Sequence, residues 1–214
     1  MKKLYKINDS EVLAIPIKEN HEVLVDIKQY PVLFYDESRE GVFKYNQPIC
    51  KLRKGVMERL LVAQEDLPRG IVLKIKEGFR PLAVQKKIFK EHLGYLTKKY
   101  PKKSQAFLKA KAVEYVAPPD IVPPHTTGGA VDLTLMTLGG KELNMGRKIN
   151  GTSSDSVTYA KRISNDAKKN RKILIKAMTE AGFVNYPYEW WHWSYGDRYW
   201  VFIKKKKYSI YNSR

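Results

Sequence analysis

The segment Pro124-His125-Thr126-Thr127-Gly128-Gly129-Ala130-Val131-Asp132-Leu133 constrains this chain more than any other. Its glycine pair separates a histidine from an alternating run that continues to Leu135. That pattern predicts a loop that delivers His125, then a strand that delivers Asp132. A second segment, Glu189-Trp190-Trp191-His192, supplies another imidazole and a second carboxylate. Two imidazoles and one carboxylate suffice to hold a catalytic zinc with one coordination position open. Glu189 is then left over as a base that can activate water. The bland alternatives stand beside this. His125 could be an ordinary hydrogen-bonded loop histidine, Asp132 a capping or paired carboxylate, and Glu189 a surface charge with the neighbouring tryptophans as core.

Spacing adds a condition. Alternate residues of a strand share a face, so Glu189 and His192 would point oppositely on a regular strand. Both reach one site only if the chain bends there or the strand begins after Glu189, and Pro187 just upstream permits that. The chain has four histidines, and the other two, His21 and His92, fall in charged stretches that suit surface positions.

The remaining pattern predicts an α+β fold, a mainly antiparallel sheet flanked by helices, in a single domain over 1–214 with residues 1–50 as a wrapping arm. Leu52, Val56, Leu60 and Ala63 mark one face of a helix that runs to about Glu65. Ile71 to Ile75 reads as a strand, and Pro81 suits the first turn of a helix carrying Leu82, Gln85, Ile88, Phe89 and Leu93. Further helices are expected over about 104–115, with Phe107, Leu108, Ala112 and Val113 on one side, and around Ile173 to Met178, closed by Gly182. Short strands are expected at Val23–Ile27, Trp190–Tyr195 and Tyr199–Ile203. The polar stretch from Gly139 to Ser156 is a long loop of the kind that covers a site. Arg80, fixed between Gly78 and Pro81 at a strand–turn–helix junction, is placed to stabilise developing oxyanion charge.

Cys50 is the only cysteine, which excludes an internal disulfide and a thiolate metal cage. The lone thiol and the absence of an apolar signal-peptide core after Met1-Lys2-Lys3 point to a soluble cytoplasmic protein; a periplasmic or secreted one would need a leader. No apolar run approaches the length of a membrane span. The net charge of +18 favours contact with a polyanion such as an acidic cell-wall polymer. A solvated basic surface is the alternative, because the lysines are scattered and only Lys204 to Lys207 form a run. Salt-sensitive nucleic-acid binding would be only the background of a basic protein.

Three motifs occur in order: Glu-Gly-Phe-Arg-Pro at 77–81, His-x-x-Gly-x-Ala-x-Asp at 125–132 and Glu-x-x-His at 189–192. Together they resemble the zinc D-alanyl-D-alanine dipeptidases, relatives of D,D-carboxypeptidases and Hedgehog-type zinc domains, over about Tyr30 to Ile203. The resemblance implies one Zn2+ held by His125, Asp132 and His192, with Glu189 as general base and Arg80 beside the oxyanion. It also implies a small dipeptide substrate held partly by Tyr30 and Tyr45. Two positions depart from the family pattern. Pro123 stands where a serine is usual, and neutral Asn150 falls where an aspartate meets the substrate ammonium group. Losing that carboxylate weakens recognition of a free amino terminus. The resemblance thus implies a D-Ala-D-Ala dipeptidase, with a carboxypeptidase or endopeptidase on longer wall peptides, or a non-catalytic basic module of the same fold, as alternatives.

Overall fold

The computed structural model describes residues 4–36, 51–151 and 153–214. Five strands form the main sheet in the order β2 (Phe34–Tyr35), β4 (Ile71–Glu77), β5 (Ala130–Thr137), β7 (His192–Ser194) and β6 (Val184–Asn185). β2 runs parallel to β4; the other neighbours pair antiparallel. A separate two-stranded sheet joins β1 (Leu24–Asp26) to β3 (Lys51–Arg53). The fold is therefore α+β with a mostly antiparallel sheet.

Alternation in β5 decides the layering. Val131, Leu133 and Leu135 enter the main core with Leu73 and Ile75 of β4. Helices α2 (Lys54–Glu65) and α5 (Asn165–Glu180) pack against each other and bring Val56, Leu60, Ala63, Leu174, Ala177 and Met178 to that core. These are the residues whose three- and four-residue spacing marks each helical face. Leu52 precedes the first helix and lies buried in β3 instead. Asp132, the intervening residue of β5, points away from the core cluster, so the opposite side of the sheet is left for chemistry.

Helices α3 (Leu82–Lys99) and α4 (Gln105–Val113) pack on each other through Leu96, Leu108 and Ala112. Ser104 caps α4 by accepting from the Phe107 N–H. Phe107 itself stays 40% exposed, so only part of the expected apolar face is used. Pro81 is the N-cap of α3 rather than a member of its first turn.

A larger departure is the last expected strand. Residues 199–203 are not a strand but lie in the helix α6 (Arg198–Lys204). Its buried residues, Tyr199 and Val201, are two apart, so this short helix mimics strand alternation. The deciding interaction is a cap: the Asp197 side chain accepts from the Trp200 N–H at 2.8 Å, one of the N–H groups that a helix start leaves unpaired. The neighbouring strand is also shorter than Trp190–Tyr195, because β7 begins only at His192.

Before β1, the helix α1 (Ser10–Leu13) packs against α6, and Ile17 bridges to Ser209. Arg53 ties this amino-terminal segment to the rest. It is fully buried and donates to Glu19 Oε1 (2.7 Å), Glu19 Oε2 (3.0 Å), Glu22 O (2.6 Å), Thr127 O (2.7 Å) and Asn212 O (3.2 Å). Among the described residues no helix is long and apolar enough to cross a membrane.

Candidate metal centre

Sheet register brings the candidate ligands together. Asp132 on β5 pairs directly with His192 on β7, and cross-strand partners place their Cβ atoms about 4.5–5.5 Å apart. His125 arrives from the short 3-10 turn Pro124–Thr127, which is knitted by Thr126 and Thr127 hydroxyls donating to the carbonyls of Pro123 (2.7 Å) and Pro124 (2.6 Å). The turn closes at Gly128, whose φ of +73° favours glycine and whose added Cβ would lie 2.5 Å from Leu24 Cδ2. At Gly129 a Cβ would meet the Tyr195 carbonyl at 2.6 Å. The two glycines thus let the loop lie flat on its neighbours and swing His125 over the start of β5.

The donor atoms His125 Nε2, Asp132 Oδ1 and His192 Nδ1 form a tight triangle. Its sides are 3.1 Å between the imidazoles, 2.9 Å from His192 to Asp132 and 3.3 Å from His125 to Asp132. A tetrahedral zinc with bonds of about 2.0–2.1 Å requires ligand separations of roughly 3.3 Å, so the triangle needs only slight expansion. His125 Nδ1 donates to the Gly78 carbonyl at 2.9 Å, which leaves the Nε2 lone pair free for a cation. All three residues are buried, and they form a cluster of ligating side chains within 4.8 Å of one another. The donor set fits zinc.

Electrostatics agrees with that chemistry. Burial pushes the Asp132 carboxyl upward, but the charges and hydrogen bonds of His125 and His192 outweigh it and hold the group well below the usual carboxylate range. For His125, burial opposes charge, and the Asp132 and Glu77 carboxylates more than offset it. The result is a compact centre of negative potential that attracts a cation.

Glu189 stands beside the triangle, with Oε2 4.0 Å from His192 Nδ1. It is not on a strand. Its N–H donates to Tyr186 O (2.9 Å) and its carbonyl accepts from the His192 N–H (3.2 Å), so the chain turns between them and both side chains reach one place. Protein surrounds the carboxylate on most sides while 36% of the side chain faces the open cleft. Burial first and Asp132 second raise its pKa, against the pull of His192, His125 and Arg80. Arg80 is held in a fork with Glu77, from Nε to Oε1 at 2.5 Å and Nη2 to Oε2 at 2.8 Å, and Nη1 donates to Gln85 Oε1 at 2.6 Å. A register shift in β4 between Ile75 and Glu77 sets Glu77 opposite Asp132, where it can reach the arginine.

The site opens into a cleft of about 710 Å³. Arg80, His125, Asp132, Glu189, His192, Asn150 and Pro123 all line it. Asn150 adopts a φ of +61° there. Tyr30 does not reach the cleft; it packs against the main core just after the 3-10 turn Ile27–Gln29. Tyr45 lies outside the described residues. The lining also includes Gln85, which the sequence placed only along a helix, and Tyr186 and Tyr188, which it did not single out. For the tyrosines the only available signal was their position inside the turn before Glu189.

The sequence profile of the peptidase M15 family, described as D-Ala-D-Ala dipeptidase, matches residues 36–212. A D-alanyl-D-alanine dipeptidase of Synechocystis is 27% identical over 222 residues, covering 88% of each chain. Dipeptidases of the same description from Enterococcus faecalis and Escherichia coli are 38% and 34% identical over 84 and 94 residues, or 36% and 43% of this chain and 42% and 49% of theirs. With a profile match of this extent laid over a buried His-Asp-His triangle and its adjacent glutamate, the chain belongs to the peptidase M15, D-Ala-D-Ala dipeptidase, family.

Proposed function

We propose that this chain hydrolyses D-Ala-D-Ala, or a closely similar dipeptide, with one zinc ion per chain bound by His125, Asp132 and His192. The observation that carries this reading is the triangle of donor atoms, 2.9–3.3 Å on a side, with Glu189 4.0 Å from one corner. When bound, zinc supplies Lewis acidity, acidifying water and polarising the scissile carbonyl. Glu189 accepts the proton of the attacking water and passes it to the leaving amine, so no covalent intermediate with the protein forms. Arg80 has five N–H groups, three of which are engaged with Glu77 and Gln85. The remaining two are free to meet the developing oxyanion, and the fork keeps the guanidinium from reorganising during the reaction.

A second reading has its own support. The cleft volume of about 710 Å³ is of the size that holds a drug-sized ligand, more than two alanines need. Asn150 on its wall offers no negative charge to a free substrate amino terminus. Both favour a peptide extended on its amino side, and the net charge of +18 suits one attached to an anionic wall polymer.

Release of free D-alanine from the dipeptide and from an N-acylated pentapeptide ending in D-Ala-D-Ala tests both. Turnover of the dipeptide, lost on chelation and regained with zinc, is the expected result. Exclusive turnover of the pentapeptide would replace the first reading by the second, and turnover of neither would refute both.

A further inference from the structure

Because Glu189 lies in the connection between β6 and β7, backbone hydrogen bonds rather than a sheet register decide where its carboxylate stands. Asn185, the last residue of β6, fills the inside of that connection. Its Nδ2 donates to the carbonyls of Glu189 (3.1 Å) and His192 (3.0 Å), with Trp190 O at 3.5 Å. Its Oδ1 accepts from the Thr158 hydroxyl. Carbonyls on one side demand the amide nitrogen there, so the orientation of the side chain follows from its surroundings. One carboxamide thereby bonds the base and a metal ligand at the same time.

Thr158 belongs to the segment that forms one wall of the cleft through Gly151, Ser153, Ser154, Ser156 and Val157. This segment is joined to the same connection by Trp190 N–H to Ser156 O (3.0 Å) and Thr158 N–H to Pro187 O (3.0 Å). From α5, Arg171 donates to the main-chain carbonyls of Met145 (2.8 Å), Asp155 (2.7 Å), Val157 (2.6 Å) and Thr158 (3.2 Å). Burial lowers its pKa to about 10, so it remains charged at neutral pH and its hydrogen bonds are of the strong, charge-assisted kind. The substrate wall is thus fixed to a core helix and, through Asn185, to the catalytic turn.

We propose that Asn185 is a positioning residue for the proton transfer, locking the Glu189–His192 turn to the cleft wall so that the base keeps its distance from the metal ligands. Neither Asn185 nor Thr158 lines the cleft, so neither touches substrate, and an effect on kcat with zinc content and KM kept is one that passes through Glu189 rather than through His192 or the cleft wall. The proposal rests on the hydrolase reading above. A displacement of about 1 Å in a reacting group costs about 10²-fold in rate, which sets the scale of the effect.

The test uses the full chain loaded with zinc, in four forms: wild type, Asn185→Ala, Thr158→Val and the double variant. Zinc per folded chain, kcat and KM are measured on whichever peptide the wild type turns over. Asn185→Ala should bind zinc as the wild type does, keep KM within about threefold and lose about 10–100-fold in kcat. Thr158→Val, which removes only the donor to Oδ1, should lose less. The double variant should be no worse than Asn185→Ala alone, because the two act through one contact. A kcat per zinc-loaded chain equal to wild type in Asn185→Ala, or in Thr158→Val if Asn185→Ala does not fold, would reduce the network to fold support and overturn the proposal. A wild-type chain that turns over neither peptide overturns the hydrolase reading itself, and the role of Asn185 in proton transfer falls with it.

Discussion

Replacing Glu189 by glutamine should lower kcat by about 10²–10⁴-fold, the span that a positioned general base contributes. Zinc content should not change. The substitution keeps the shape of the side chain and removes only its capacity to hold a proton. Glu189 is not a corner of the donor triangle; its Oε2 lies 4.0 Å from His192 Nδ1, beyond a hydrogen bond. Its backbone bonds to Tyr186 and His192 survive in the variant, so the turn is kept. Steady-state kinetics with metal analysis on the same preparation separates the outcomes. A large loss of kcat with zinc retained fits a base. Loss of zinc in parallel with activity would instead make Glu189 a ligand, and unchanged kcat would remove it from the mechanism.

The second large effect is on stability. Arg53→Met should cost about 3–5 kcal/mol, as expected for removing one partner of a buried ion pair. The Arg53 side chain is 0% exposed and that of Glu19 only 17%. Without the guanidinium, Glu19 keeps the N–H groups of His21 (2.8 Å) and Asn212 (2.5 Å) and the more distant Arg214 (3.8 Å), but loses its buried, hydrogen-bonded cation. The carbonyls of Glu22 and Thr127 each lose a donor, beside the loop that carries His125. Lysine should not rescue, since it cannot reproduce the fork. The effect should depend on pH in a defined sense. Burial opposes ionisation of Glu19, yet the Asn212 N–H and Arg53 hold its pKa below the ordinary 4.5. A depressed carboxylate contributes stability above its unfolded pKa and loses it as pH falls through the folded one. Urea unfolding should therefore show a constant gap between wild type and Arg53→Met near neutrality, narrowing below about pH 4.5.

Much of the site was legible because it rests on patterns that survive in one dimension. The alternation through β5 placed Asp132 opposite the core face, and the glycine pair marked the turn that delivers His125. The spacing of Glu189 and His192 required a bend, and the structure has a turn with β7 starting at His192. Other parts depended on tertiary contacts. Residues 199–203 look like a strand because a helix as short as Arg198–Lys204 shows too little period to be recognised, and the Asp197 cap was the overlooked sign. Tyr30 is drawn against the core rather than into the cleft by packing that no local pattern encodes. Asn185 and Arg171 carry no motif; one reads as an ordinary strand end and the other as one cation among many. Their roles appear only when the segments they join, far apart in sequence, are brought together.

The most direct measurement is the zinc content of the purified full chain beside that of His192→Ala and Asp132→Ala. Three neutral or anionic donors with sides of 2.9–3.3 Å should bind about one zinc per chain, and removing either corner should bring the content close to background in a folded protein. A wild-type chain without tightly bound zinc, or variants that keep it in full, would contradict a metal centre at His125, Asp132 and His192.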